Sequence, residues 1–438
     1  MDSKKANIRE VVGEKLCNSC GACFAVCKPD AIVFKETVGG NLFPQIDTDK
    51  CTYCGLCLKV CQGVSFSDTL FDKMPRDVFR GESIKSYLVR AQSEDIFKNS
   101  QSGGAVSALL CYALESGLAN AAVTVAMQKG NPPRANACLV RSREEILHSQ
   151  KSKYSLVPAL SALKGLKESD QKIVFVGLPC QIHGLHNLYE VVPELKEKII
   201  LTIGLFCDRT MTNAAIDYLI KKQNCKGQVK HLVFRDKQHG GYPGSVYIES
   251  EDGKDYVLPP KDRMQIKDFF TPTRCRLCFD KLNIFSDISV GDPWGISEAD
   301  HINGESVCVA RTDKGANFLQ KAKDYLRLRE VNYDKIYNGQ NIEHKQDLWC
   351  GYKEAWRRKG LKLPNYCEYI KTKPAKPDIN EFMMTLQKSL DLDSFGSREE
   401  LIRYVDSHIP KQRRHSLLLT VGIFCLKAIQ KMIRSLKK

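Results

Sequence analysis

The stretch "CNSCGACFAVCKP" at residues 17–29 returns, with its intervals unchanged, as "CTYCGLCLKVCQG" at 51–63. Cys17, Cys20, Cys23 and Cys27 follow one another as C-x2-C-x2-C-x3-C, and Cys51, Cys54, Cys57 and Cys61 do the same. The chain has 438 residues and nineteen cysteines, and its first ten residues, "MDSKKANIRE", lack the apolar run of a secretory signal. A reducing, cytoplasmic setting is the expectation, and there dense cysteine means metal or catalysis more often than a disulfide framework. Zinc takes paired CxxC knuckles, four ligands to an ion, and leaves the third cysteine of each run without a use.

Iron-sulfur cubanes use all eight thiols. In two-cluster ferredoxins of the bacterial type each run gives three thiolates to one cluster and its fourth to the other. The spacing therefore assigns Cys17, Cys20, Cys23 and Cys61 to one [4Fe-4S] cluster, and Cys51, Cys54, Cys57 and Cys27 to a second. Three cysteines two residues apart can wrap a cluster corner, with the fourth expected to start a helix leading away. Gly21 and Gly55 sit where backbone must pass close to the cluster and a side chain would obstruct. Between the runs, "AIVFKETVGGNLFPQID" reads as two short strands about a Gly-Gly turn.

From residue 84 the texture changes to strands alternating with amphipathic helices. "SYLVRAQ", "AAVTVAM", "KIVFVGLP" and "IILTIGLFC" have strand character, and "GGAVSALLCYALESG" has helical period with a glycine stop. The pattern predicts βαβ units, a largely parallel sheet, and ligands gathered at strand ends. Cys180 in "VGLPCQIHGL", Cys207 in "IGLFCD", and Cys275 with Cys278 in "TRCRLCF" fall at such ends. They are candidates for a third [4Fe-4S] cluster, with zinc and plain buried thiols as the alternatives.

Ser102, Gly103 and Gly104 precede a helix whose free amides suit a phosphate or the diphosphate of a flavin, although such turns also cap helices without any ligand. Lys153 and Tyr154 in "KSKYS", and His183 after Cys180, are candidates for flavin contact or proton supply. Their ordinary reading is a solvated face or a satisfied backbone carbonyl.

Taken together, "QSGGAVSALL", "KYSLVPAL", "VGLPCQIHGL", "IGLFC" and "CRLCFDKLNIFSDISVGDPWG" resemble the beta-subunit family of coenzyme F-420 hydrogenases and dehydrogenases. The resemblance implies a flavin, FAD or another, and an iron-sulfur centre on Cys180, Cys207, Cys275 and Cys278. It carries the flavin site to the Ser102-Gly103-Gly104 turn and to Lys153-Tyr154-Ser155. It implies electron transfer between one-electron clusters and a two-electron acceptor, a deazaflavin coenzyme or a small metabolite. The donor would be a redox partner protein or a reduced carrier.

The fold expected is an α+β ferredoxin-like two-cluster domain at 1–80, then an α/β flavin and iron-sulfur domain at 84–370. A Lys- and Pro-rich linker at 371–378 and a helical tail at 379–438 complete it. Eight of the fifteen net positive charges lie between Lys411 and Lys438, so the body is only mildly basic and a nucleic-acid partner is not indicated. On a helix, Lys427, Lys431, Arg434 and Lys438 would oppose Leu426, Ile429, Ile433 and Leu436, a basic amphipathic end that suits an anionic membrane surface or docking on protein. The competing readings of the whole chain are a non-catalytic electron-transfer subunit serving a partner enzyme, and a zinc-bearing scaffold.

Overall fold

The head of the chain folds around the hairpin its sequence announces. Strands β1 (Ile32–Glu36) and β2 (Leu42–Ile46) pair antiparallel, Ile32 opposite Ile46 and Glu36 opposite Leu42, about a turn with Gly40 at a φ of 77°. The computed structural model describes residues 6–166, 170–225, 227–372 and 378–409. The basic amphipathic end at 410–438 and most of the Lys-Pro linker lie outside the described residues.

Five strands follow, β3 (Lys85–Ala91), β4 (Ala121–Gln128), β5 (Arg134–Val140), β6 (Ile173–Gly177) and β7 (Ile199–Leu205). Next come β8 (Val229–Asp236), β9 (Ser245–Ser250) and β10 (Asp255–Leu258), then β11 (Ile288–Gly291), β12 (Ser306–Ala310) and β13 (Leu326–Glu330). One sheet of eight strands has the order β13-β3-β12-β11-β7-β6-β4-β5, while β8, β9 and β10 form a separate antiparallel sheet of three.

The large sheet is mixed, which corrects the expectation of a largely parallel one. Only β4, β6, β7 and β11 run parallel as neighbours, and β5 on one flank with β12, β3 and β13 on the other are antiparallel. The cause at the β5 edge is connection length. Only residues 129–133 separate β4 from β5, far too few for the crossover that parallel pairing needs.

Alternation along the central strands divides the core into two layers. Val174 of β6 and Leu201 of β7 face the helix Ala105–Glu115 through Leu109, whereas Phe175 faces the helix Pro179–Tyr189 through Ile182 and Leu185. Cys20, Ala22 and Val26 join the second layer, so the cysteine-rich head packs directly on that face of the sheet. A further core unites the head with the chain's later helices. Phe66 stacks on Tyr366 at 4.0 Å between ring centroids, and Phe79 meets Trp349 of the helix Ile342–Arg358 at 5.9 Å. Among the described residues no helix is long and apolar enough to cross a membrane.

Candidate iron-sulfur and cofactor sites

The two cysteine loops repeat each other in backbone as well as in sequence. Ser19 and Gly21 have φ of 58° and 96°, and Tyr53 and Gly55, at the matching places, have 53° and 75°. Two left-handed residues per loop curl the chain around a point, a conformation that strains any side chain with a Cβ and so favours glycine. Each loop then enters a short helix, Ala22–Val26 or Leu56–Lys59, that contains the third cysteine and ends before the fourth. Each helix therefore starts one residue before the third thiol, Cys23 or Cys57, and does not start at the fourth as the spacing suggested. The Ser19 amide donates to Cys17 Sγ at 3.3 Å, a bond that stabilises a sulfur carrying negative charge.

Thiols from the two runs meet. Burial raises Cys17 to about 12, and it raises Cys23 and Cys61 well above their ordinary value, each beside other cysteines. Cys61 feels Cys20 and Cys17, so the last cysteine of the second run stands with the first run, as the crossed ligand pattern requires. Cys57 feels Cys54 and Cys51 in turn. Four thiols packed in apolar surroundings cannot all ionise against one another unless cations join them, and iron is such a cation.

The remote cysteines also converge. Cys180 lies in the first turn of the helix Pro179–Tyr189, Cys207 just past β7, and Cys275 and Cys278 on a tight turn at Thr273–Leu277. Burial raises Cys180 well above its ordinary value, and the charges it meets are Cys20, Cys275, Cys207 and Cys278. The Cys207 amide donates to Lys281 O at 2.9 Å, which fastens the β7 end to the loop after Cys278. Nearly buried Lys345, with Nζ 3.2 Å from Asp208 O, faces Cys207, Cys275 and Cys278 together. Among the described residues no three thiol, imidazole or carboxylate groups are gathered tightly enough to hold a single metal ion.

Cys20 links the two sets. On the helix Pro179–Tyr189, Cys180 and Gly184 are four residues apart and share a face. A Cβ built on Gly184 would stand 3.4 Å from Cys20 Sγ, so the missing side chain lets the head's sulfur lie against the helix.

A cavity of about 670 Å³ opens beside Cys207 at the ends of the parallel strands, within the roughly 300 to 1,000 Å³ usual for small-molecule sites. Gly177 of β6, Leu205 of β7 and Gly291 of β11 form its floor. A Cβ on Gly291 would overlap the Phe206 ring at 2.1 Å, so glycine there lets Phe206 cross the strand end. At the other end stands the first turn of the helix Ala105–Glu115, capped by Gly104 at a φ of 78° with no side chain to bond its free amides. That open helix start, on a helix of eleven residues, beside a mostly apolar cavity, fits the diphosphate of a flavin.

The sequence candidates divide. Ser102, Gly104, Lys153, Tyr154 and Ser155 line the cavity. Gly103 lies behind it, where a Cβ would meet Val89 O at 2.2 Å, and its carbonyl accepts from the Ala91 amide at 2.7 Å. Lys153 Nζ donates to Gln150 O at 2.7 Å and to Ser149 O, and burial pulls it down to about 7. His183 is elsewhere. It is buried with its Nε2 2.9 Å from Asp280 Oδ2 and its ring stacked on Phe279, outside the cavity lining, so it is not placed to hand a proton to a molecule bound there.

The sequence reading missed the cations of this cavity, Arg209, Arg235, Arg263, Lys267 and Lys281. They are spread over more than seventy residues, on β8, the helix Pro260–Ile266 and the connecting loops, with no common interval to reveal them.

A cysteine-rich head wired to an α/β body with a cofactor-sized cavity defines an iron-sulfur electron-transfer protein. Residues 16–62 match the 4Fe-4S dicluster domain, and residues 86–164 and 170–335 match the N-terminal and C-terminal parts of the coenzyme F420 hydrogenase/dehydrogenase beta subunit. The chain belongs to that beta-subunit family.

Among its relatives, a subunit of the F(420)H(2) dehydrogenase of Methanosarcina mazei is 26% identical over 74% of this chain and 87% of its own length. A coenzyme F420-dependent sulfite reductase of Methanocaldococcus jannaschii is 28% identical over 77% of this chain, which spans only 50% of that protein. A chain of the F420-reducing [NiFe] hydrogenase complex from Methanosarcina barkeri shares the fold with a TM-score of 0.50 and 21% identity, over 66% of this chain and 97% of its own.

Proposed function

We propose that this chain is an iron-sulfur flavoprotein oxidoreductase that moves electrons between ferredoxin-type clusters and a two-electron acceptor, a deazaflavin coenzyme or another small metabolite. One observation carries the reading. The four remote cysteines lie near one another, with Cys20 of the head beside Cys180 and with Cys207 lining the cavity.

Cys17, Cys20, Cys23 and Cys61 would hold one [4Fe-4S] cluster, Cys51, Cys54, Cys57 and Cys27 a second, and Cys180, Cys207, Cys275 and Cys278 a third. The helix start at Gly104 and the Lys153–Ser155 segment would hold the flavin, FAD or another. When bound, the clusters pass single electrons and the flavin exchanges them for pairs. The chain's own part is positioning and proton handling. Ser155 Oγ donates to Asn213 Oδ1 at 2.5 Å, which fixes the segment along the cavity wall. Lys153, pulled by burial to about 7, holds a proton for part of the time at neutral pH and suits a group that gives one to a reduced acceptor. Phe206 and the strand-end glycines line the cavity floor.

The relatives named as subunits favour a second reading, in which the chain passes electrons on to a partner enzyme. Exposed Cys54 leaves the outer cysteine set within reach of such a partner.

Anaerobic purification with iron, acid-labile sulfide and flavin counts tests the reading. About twelve irons and one flavin per chain are expected, at four irons to a cubane. Zinc without sulfide, or no flavin, overturns it. Turnover of a dye with no turnover of a deazaflavin or any metabolite moves the choice to the electron-transfer role.

A further inference from the structure

The helix Pro179–Tyr189 carries Cys180 in its first turn and Asn187 in its last. Asn187 is 1% exposed, and its side-chain amide reaches the head. Its Oδ1 accepts from the Ser67 amide at 2.8 Å, and its Nδ2 donates to Ser65 O at 2.8 Å and to Val60 O at 3.4 Å. All three partners belong to the segment 60–67, which contains Cys61. Val60 ends the helix Leu56–Lys59 and Ser67 caps the helix Asp68–Asp72, so two of these groups are backbone orphans that helix ends leave behind. Phe66, in the same segment, meets the His183 ring of the long helix edge-on at 4.9 Å.

Spacing along the helix gives these bonds a second meaning. Residues 180, 184 and 187 fall on one stripe, because seven residues make nearly two turns. The stripe offers the head, in order, a thiol, a gap and an amide. Cys20 stands first among the thiols that act on Cys180. Bare Gly184 admits the Cys20 sulfur. Asn187 then grips the chain on either side of Cys61, which stands with the thiols of the first run. Cys180 and Asn187 are about 10 Å apart along the axis. One helix thus supplies a body thiol and seats two thiols of the head.

We propose that Asn187 is the positioning residue that fixes the gap between the inner head cluster and the body cluster, with the stripe Cys180–Gly184–Asn187 as its ruler. The proposal rests on the three-cluster reading and adds to it the residue that sets the transfer step between two of those clusters. Electron exchange between metal centres falls steeply with distance, so a segment free to drift would slow the step without loss of either cluster. Asparagine suits the place because its short arm, with one acceptor oxygen and two donor hydrogens, can meet an amide and two carbonyls at once.

The test uses the full chain purified anaerobically, reduced with dithionite and followed by paramagnetic resonance. Two reduced clusters broaden or split each other's signals, an effect that weakens quickly with separation. Cys278→Ala, which removes a body ligand, gives the head's signals undisturbed, and their change between it and wild type is the head–body interaction. Asn187→Leu, nearly the same shape without a hydrogen bond, is expected to lose that interaction at an unchanged iron count. Asn187→Asp keeps the bond from the Ser67 amide and loses both donors, so a partial loss is expected. Thr69→Val breaks another head–body bond, from Thr69 Oγ1 to Glu190, and should leave the interaction as it was.

An unchanged interaction in Asn187→Leu overturns the proposal, and so does an equal loss in Thr69→Val, which would spread the task over the whole interface. If Asn187→Leu sheds iron, Asn187→Asp decides, and an unchanged interaction there overturns the proposal. Iron lost from both variants overturns it as well, since the residue would then build a cluster and not space two. A wild type with about eight irons, the content of two cubanes, defeats the three-cluster reading and takes this proposal with it, so the iron count tells the two failures apart.

Discussion

The first cysteine loop and the second share a spacing and a backbone but have opposite surroundings. Around the first, Cys20 and Cys23 are buried, and a Cβ on Gly21 would lie 2.7 Å from both Pro158 O and Ser161 N. The Leu160 amide donates to Cys20 O at 3.0 Å, so the loop is fastened to the body. Around the second, Cys54 is exposed, and a Cβ on Gly55 would meet nothing within 4 Å. On the proposed wiring, one loop design would serve as an inner relay and as an outer terminal. The spacing of cysteines sets what a loop binds, and its neighbours set which way electrons leave it.

Glycine replacement should break the two loops apart by the largest margin. In both, alanine must adopt a left-handed φ, costing about 1 kcal/mol. Gly21→Ala must also push back the chain at Pro158 and Ser161, and about 3 kcal/mol in all is expected. Urea unfolding of the anaerobic proteins measures both, and equal losses would mean that the first loop is not pressed against the body.

A smaller effect should separate the body's thiols from those of the head. Lys345 places a buried positive charge beside Cys207, Cys275 and Cys278, a field that would favour the reduced, more negative state of the third cluster proposed there. Lys345→Met is expected to move that cluster's midpoint by some tens of millivolts to more negative values, a tenfold one-electron change being about 59 mV. The head's signals should stay in place. Paramagnetic resonance during a redox titration distinguishes them, and a uniform shift would refute a local role.

The same contrast explains what was legible beforehand. The head's ligands, its Gly-Gly hairpin and both loop glycines are encoded within forty-five residues, so interval and residue type suffice. Of the body's candidate ligands, Cys180 and Cys207 follow β6 and β7, places the pattern of apolar runs marks, whereas Cys275 and Cys278 lie on a turn after the helix Pro260–Ile266 and stand out only by their CxxC interval. The sheet's direction was not, because β5, β12 and β13 owe their antiparallel pairing to short connections and distant partners. Nor were Arg235 and Arg263, whose meaning arises only when β8 and the helix Pro260–Ile266 are brought to one cavity. His183 looked functional from its distance to Cys180, yet helical phase turns it toward Asp280 and Phe279.

In the cavity, Lys153 should impose a pH limb that the head lacks. Burial lowers its pKa from 10.5 to about 7, so the ammonium form is lost as pH rises through 7. If it supplies the proton, turnover with an acceptor that needs one should fall above that pH, while cluster reduction by dithionite should not. Lys153→Met should flatten the limb and lower turnover by roughly tenfold to a hundredfold or more, within the usual range for general acids. A limb that survives the substitution assigns the proton to another group.

The smallest expected effect concerns what holds the outer loop's hairpin to the body. Glu36, at the end of β1, accepts from Arg134 at 2.8 Å, from Asn213 at 2.9 Å and from Arg398 at 2.9 Å, and Arg398 also donates to Thr37 O at 2.7 Å. Burial opposes the Glu36 charge, but these donors outweigh it and hold the carboxyl below its ordinary 4.5. A group with a depressed folded pKa adds stability above its unfolded value, and that stability is lost as pH falls through the folded one. Acid should therefore loosen the hairpin from the helix Arg398–His408 and the strand β5 below about 4.5. Glu36→Gln should remove that acid-sensitive part and cost about 1 kcal/mol at neutral pH, since each donor is partly solvated. Hydrogen exchange at β1 and β2, followed across pH, reads it directly. Protection that is the same at pH 3 and pH 7 would show that apolar contacts alone seat the hairpin, and the outer terminal would then be as firmly built in as the inner relay.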